Sequence, residues 1–308
     1  SVDTLTGHTD VISTVTVTPD ITKIVTGSRD GTARVFDLVS GNCLHTLTGH
    51  SGWIDSVAVT PDGTTVVTGS CDHTTKVWDL ASGDCVHTLA GHTGRIRSVA
   101  VTPDGSKVIT GSSDHTVKVW SLETGVCLNT LTGHANWVSS VVVTPDRNKI
   151  VTGSFDRTAI VWDLGSNACL HKLTGHTFCI NSVSVTPDGA KAITSSIDGT
   201  AKIYDIFSGD CLFPLIGHTN GIHSVAITPD GTKVITGSMD NTAKVWDIDT
   251  GACLNTLTGH TNSIFSVVIT PDGTKVVTGS KDHTIKVWSV KASLSDLLTA
   301  RQVVESHL

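Results

Sequence analysis

Histidine, serine and aspartate recur along this chain at fixed offsets, and together they are the residue types of a nucleophilic triad. In the third of seven repeats they are His92, Ser112 and Asp114, with Trp120 a few positions on. The set returns as His50, Ser70, Asp72 and Trp78, then as His134, Ser154, Asp156 and Trp162. It returns again as His218, Ser238, Asp240 and Trp246, and as His260, Ser280, Asp282 and Trp288. An active site needs one such constellation, so copies in register in every repeat read as scaffold. The Trp-Asp dipeptide that closes three of the repeats also fails at Ser121 and Ser289, which argues against catalysis by that aspartate. No catalytic residue is expected.

The elements that must hold these residues follow one period. Gly-His occurs at 7–8, 49–50, 91–92, 133–134, 175–176, 217–218 and 259–260, each pair 42 residues after the last. Within the second repeat, 54–59 alternates apolar and polar residues, as a strand does. Thr60-Pro61-Asp62-Gly63 is a turn, and 65–70 a second strand. Asp72-His73-Thr74 turns the chain into 75–80, and Ala81-Ser82-Gly83 turns it into 85–90. Two repeats carry Ile21 and Arg147 where the first turn otherwise has Gly. Because β-branched Ile is a poor occupant of positive φ, that turn is expected to need no left-handed residue. Pro214 falls in the fourth strand of its repeat and cannot donate to a ladder, so this strand should be the outer edge of its sheet.

A period of this size, opening with Gly-His and closing near Trp-Asp, is the signature of a β-propeller. The chain resembles the WD40-repeat family over nearly its whole length. The fold expected is all-β, a seven-bladed propeller with four antiparallel strands per blade. It spans 1–290, with repeats beginning at Gly7, Gly49, Gly91, Gly133, Gly175, Gly217 and Gly259. Residues 2–6 match a fourth strand and are expected to pair onto 284–290, closing the ring and removing an open edge. In the tail, 291–308, Ser293 and Asp296 resemble a capping box, and Leu294, Leu297 and Leu298 share a face. A short helix is expected there.

The resemblance implies that each His meets the Asp of its repeat, with the Ser and the Trp indole completing a buried polar chain. The Thr two residues before each Ser lies on the same strand face and is the other hydroxyl that could serve. Phe36 replaces Trp in the first repeat and has no donor, so the set around His8, Ser28 and Asp30 should be one bond short. Tyr204 replaces Trp in the fifth.

Composition narrows the partners. The net charge is −7 and no Lys/Arg cluster appears, so neither nucleic acid nor a membrane surface is expected as partner. No run approaches the ~18 apolar residues of a membrane span, and no signal peptide opens the chain. Six of the eight cysteines are repeat-equivalent (Cys43, Cys85, Cys127, Cys169, Cys211 and Cys253) and stand too far apart to bridge. They read as small apolar residues in a reducing compartment, cytoplasmic or nuclear, and their spacing lacks the paired character of a zinc site. No metal or cofactor is expected. The start at Ser1 and the irregular tail suit a domain cut from a longer chain.

Function is expected where the repeats differ. Three positions per repeat vary without regard to chemistry. Two precede or open the first strand: Val11 and Ser13, Trp53 and Asp55, Arg95 and Arg97, Trp137 and Ser139, Cys179 and Asn181, Gly221 and His223, Ser263 and Phe265. The third precedes the turn Asp: Arg29, Cys71, Ser113, Phe155, Ile197, Met239 and Lys281. The His–Asp bond should draw them to one end of the blade, and residues two apart, such as 53 and 55, should point the same way. In the family that end is the top face around the central channel, the usual protein-binding surface. Trp and Arg dominate binding hot spots, so Trp53, Trp137, Phe155, Phe178, Phe265, Arg29, Arg95 and Arg97 are candidate contacts, with Asp55, His223, Met239 and Lys281. Asp55 is the only acid at the varied positions, which speaks against a paired-carboxylate hydrolase. The reading is a non-catalytic scaffold, itself monomeric, that binds protein or peptide on its top face. Its repeats resemble the WD40 sensor regions of NACHT-type signalling proteins. The competing reading is a fixed adaptor subunit, of ubiquitin-ligase receptor, G-protein β-like or chromatin type; a channel enzyme comes third.

Overall fold

The repeat folds as a meander because each apolar run is short and bounded by residues that turn the chain. The computed structural model describes residues 5–270, 272–282 and 284–289. Within them lie 27 strands and no helix. The third blade shows the pattern: Ile96–Val101, Lys107–Ser112, Val117–Ser121 and Cys127–Leu131 pair antiparallel in chain order. The second strand is rich in β-branched residues and is buried along nearly its whole length, as a strand covered on both faces must be. The fourth is exposed except at Leu131, which marks it as the edge. Pro214 sits in the equivalent edge strand, opposite Lys202.

Six sheets have four strands and the last has three described strands, Ile264–Ile269, Lys275–Ser280 and Ile285–Ser289. Neighbouring sheets pack face to face. Ile109, Val117 and Leu131 of the third blade join Val138, Val141 and Trp162 of the fourth in one cluster. Each such side chain stabilises the ring by about 1.5–3 kcal/mol through its burial. The approach is close enough to dictate a glycine: a Cβ on Gly111 would come within 2.7 Å of Val138 Cγ1.

Six clusters of this kind join blade to blade, and among the described residues none joins the seventh blade to the first. Val15 of the first blade is 56% exposed, whereas its equivalent Val99 is 7% exposed. Ile285 in the last blade is 74% exposed, against 0% for Val117. The closing strand expected to start at Val2, and the helix expected over 291–308, fall on residues outside this description. Leu5 and Thr6, the described end of that strand, are irregular.

One expectation about the first turn fails. Ile21 and Arg147 do adopt positive φ, 58° and 64°, as Gly63 does at 71°. Local hydrogen bonds impose it. The Ile21 amide bonds to the Thr18 carbonyl at 2.8 Å, and Asp20 accepts from the Thr18 hydroxyl at 2.6 Å. A left-handed residue with a Cβ costs about 1–2 kcal/mol, which the two bonds can offset.

Candidate functional site at the mouth of the channel

In the third blade Asp114 accepts from His92 Nδ1 at 2.7 Å. That fixes the ring's tautomer: Nδ1 carries the proton, so Nε2 accepts from the Thr110 hydroxyl at 2.7 Å. The Thr110 oxygen in turn accepts from the Trp120 indole at 2.9 Å. The relay therefore runs Trp to Thr to His to Asp. It recurs through Thr68 and Trp78, Thr152 and Trp162, Thr236 and Trp246, and Thr278 and Trp288.

The serines are not in it. Ser112 donates to the Gly94 carbonyl at 3.0 Å and accepts from the Asp114 amide at 3.1 Å, fastening loop to turn. Ser70, Ser154, Ser238 and Ser280 do the same with Gly52, Asn136, Asn220 and Asn262. Strand register explains the choice. Trp120 lies opposite Val108, so Thr110, two residues on, is its diagonal neighbour on one face, and Ser112 is too far along.

Blade one is a bond short, as expected: His8 meets Asp30 and Thr26, and Phe36 supplies no donor. Tyr204 in blade five turns its hydroxyl to the Thr174 carbonyl at 2.9 Å. Burial pushes the Asp72 carboxyl up, but hydrogen bonds from Thr74 and His50 outweigh it and hold it at about 2.

This frame gathers the varied positions. The His–Asp bond brings the loop against the turn, and the two backbones bond directly. The Phe155 amide donates to the Trp137 carbonyl at 2.9 Å, and the Cys71 amide to that of Trp53 at 2.8 Å. Where the first strand meets the second, every blade has a β-bulge. In the third, Ser112 pairs with Ile96 and Gly111 with Ser98, so Arg97 is skipped. The residues skipped in the others are Ser13, Asp55, Ser139, Asn181, His223 and Phe265. These seven, with Arg95 and Phe155, line one cavity of about 280 Å³ encircled by all seven blades. A bulge re-aims the extra side chain. The bulge, rather than strand alternation, turns Asp55 into the opening, while Trp53 stays on the rim.

Within the mouth the charged and aromatic groups are paired in a definite order. Arg95 grips Asp55 through both Nε and Nη2. That pairing holds its guanidinium above the ordinary value. Arg29 and Arg95 lie 4.9 and 5.6 Å from the Trp53 ring. Arg97 lies against the Trp137–Phe155 pair, 4.2 Å from the first ring and 5.2 Å from the second, the two rings being 5.3 Å apart, and donates from Nε to Ser113 Oγ at 2.8 Å. Burial, with Arg95 nearby, weighs against its charge. His223 lies 4.6 Å from Phe265.

Other candidates sit less centrally. Met239 packs over Gly221, Lys281 is exposed on the turn of the last blade, and Phe178 is exposed in its loop with no aromatic partner among the described residues. A larger cavity, about 580 Å³, lies away from the channel between blades two and three, near His87, Lys107 and Glu123. It collects none of the varied positions. Among the described residues no three His, Cys, Asp or Glu side chains converge as metal ligands would.

Seven antiparallel sheets around a polar channel, six with four described strands and the last with three, define a seven-bladed β-propeller. The repeats match the family model of the WD domain, G-beta repeat, at residues 1–37, 41–79, 83–121, 125–163, 167–205, 209–247 and 251–289. The chain belongs to the WD40-repeat family, whose propellers are typically protein-interaction scaffolds and generally non-catalytic. No curated relative matches it.

Proposed function

We propose that this propeller is a non-catalytic recognition module that captures a protein or peptide over the mouth of its channel, as the sensor domain of a signalling protein. One observation carries the reading: nine of the residues that differ from repeat to repeat, at least one from each of the seven blades, line one opening. Trp53, Trp137 and Phe265 stand exposed around it, where a loop-to-strand junction has no packing need for large aromatics. Asp55, the one acid at the varied positions, is already held by Arg95, which leaves no free carboxylate pair for hydrolysis. A cytoplasmic or nuclear setting belongs to the same reading and is supported by eight unbridged cysteines.

A fixed adaptor subunit is the second reading. It is favoured by apolar side chains exposed along the outer edge strands, Leu44, Val86, Leu128, Leu170 and Leu212. Affinity capture with the wild type and a Trp53→Ala/Trp137→Ala variant separates the two. Partners lost by the variant support capture at the mouth. Equal recovery by both proteins overturns it and leaves the side faces as the interface.

A further inference from the structure

The polar groups of the channel mouth do not balance. Among the varied positions Arg29, Arg95, Arg97 and Lys281 face a single acid, Asp55, although the whole chain carries −7. Arg95 consumes both oxygens of that acid. The serine hydroxyls of the cavity, Ser13 and Ser139, donate to backbone carbonyls of their own and the next blade.

Two donors are left over. Arg97 spends Nε on Ser113, and its two Nη groups have no hydrogen-bond partner among the described residues. His223 Nε2 is buried without a partner. Asn181 Nδ2 lies 3.4 Å from His223 Nδ1, so Nδ1 is the accepting nitrogen and Nε2 bears the proton. The cavity is thus rich in unused donors and has no unused acceptor of comparable charge. The Nε bond to Ser113 and the neighbouring Trp137 ring restrain the Arg97 guanidinium before any ligand arrives. A guanidinium with its outer edge open is the geometry that receives a carboxylate or phosphate through two parallel bonds. At about 280 Å³ the cavity is below the size of sites for whole small molecules and suits one side chain.

Resting on the reading of the mouth as a peptide-binding face, we propose that the channel takes one oxyanion-bearing side chain of the partner, a phosphorylated residue or a carboxylate, on the free edge of Arg97. Arg95, neutralised by Asp55, is a positioning residue: its pair with Asp55 keeps that acid from closing onto Arg97.

The test follows the Nε–H signal of Arg97 by ¹H–¹⁵N correlation while blocked phosphoserine, blocked glutamate and blocked serine are added separately. The expected result is a saturable shift with phosphoserine or glutamate and none with serine. The tighter anion assigns the partner's side chain. Arg97→Gln should weaken the tighter anion at least ~10-fold, and Arg147→Gln, on a remote turn, should not. Asp55→Asn, which releases Arg95, should tighten anion binding and serves as a second variant if Arg97→Gln unfolds. No saturable shift with either anion, or unchanged affinity in Arg97→Gln, overturns the proposal. The two claims fail separately. Partner capture that needs Trp53 and Trp137 but survives Arg97→Gln and excess phosphoserine sinks the oxyanion site alone. Capture indifferent to the tryptophans sinks the binding face itself.

Discussion

His92 and His223 are both largely buried imidazoles in the same ring, and they are used in opposite ways. His92 belongs to the repeated frame and has both nitrogens bonded, to Asp114 and to Thr110, at 2.7 Å each. His223 belongs to the channel mouth, where its Nε2 has no partner. The same division separates the tryptophans. Trp120 is 2% exposed with its indole N–H spent on Thr110, whereas Trp137 is 39% exposed and presents its ring to Arg97. Satisfied groups define a frame, because any change leaves a buried partner stranded. Unsatisfied ones at an opening keep valence in reserve for something else. Residue type therefore does not separate structure from function in this molecule; the state of each group's bonds does.

That contrast makes its boldest claim about the tryptophans. Trp120→Ala should destabilise the fold by about 3–5 kcal/mol through cavity formation, whereas Trp137→Ala should cost about 1 kcal/mol or less. Denaturant titration of both variants measures the difference, and comparable losses would erase the distinction between frame and mouth. A finer cut lies within the frame. Thr110→Val strands both His92 Nε2 and Trp120 Nε1 and should cost about 2–4 kcal/mol. In blade one Thr26→Val strands only His8, because Phe36 donates nothing, and the cost should be smaller by about 1–2 kcal/mol. Equal costs would show that the indole bond contributes nothing.

The gentlest probe is pH. Burial lowers the His50, His176 and His218 rings below their ordinary 6.5, against the opposing pull of their aspartates. The fold thus prefers the neutral ring. Below 6.5 the unfolded chain binds more protons, so stability is complete above that value and declines as pH falls. The carboxyls of Asp72 and Asp198, held at about 2, add a second loss below their ordinary 3.8. Unfolding midpoints between about pH 7 and about pH 3 should fall steadily. A maximum near pH 5 would contradict neutral, fully bonded histidines.

Much of the fold was legible because the repeat supplies seven copies of the same signal. Strand boundaries and edge position follow from local patterns whose spacing never changes, and the His–Asp pairing is what the resemblance to the WD40 family implies. The hydroxyl in the relay was ambiguous for a physical reason: Thr110 and Ser112 point to the same face, and only the register of Trp120 across the hairpin selects between them. Ile21 misled because its conformation is set by bonds from Thr18 and Asp20, against its own preference.

What the sequence determined alone is the blade, since a blade is made of contacts within about 40 residues and most of them repeat. The tertiary structure decided the mouth. Asp55 and Arg95 come from different blades, as do Arg97 and Trp137, and no local spacing could pair them. It also decided which way each varied side chain turns, because one extra residue in the first strand overrides the two-residue alternation from which direction is otherwise read.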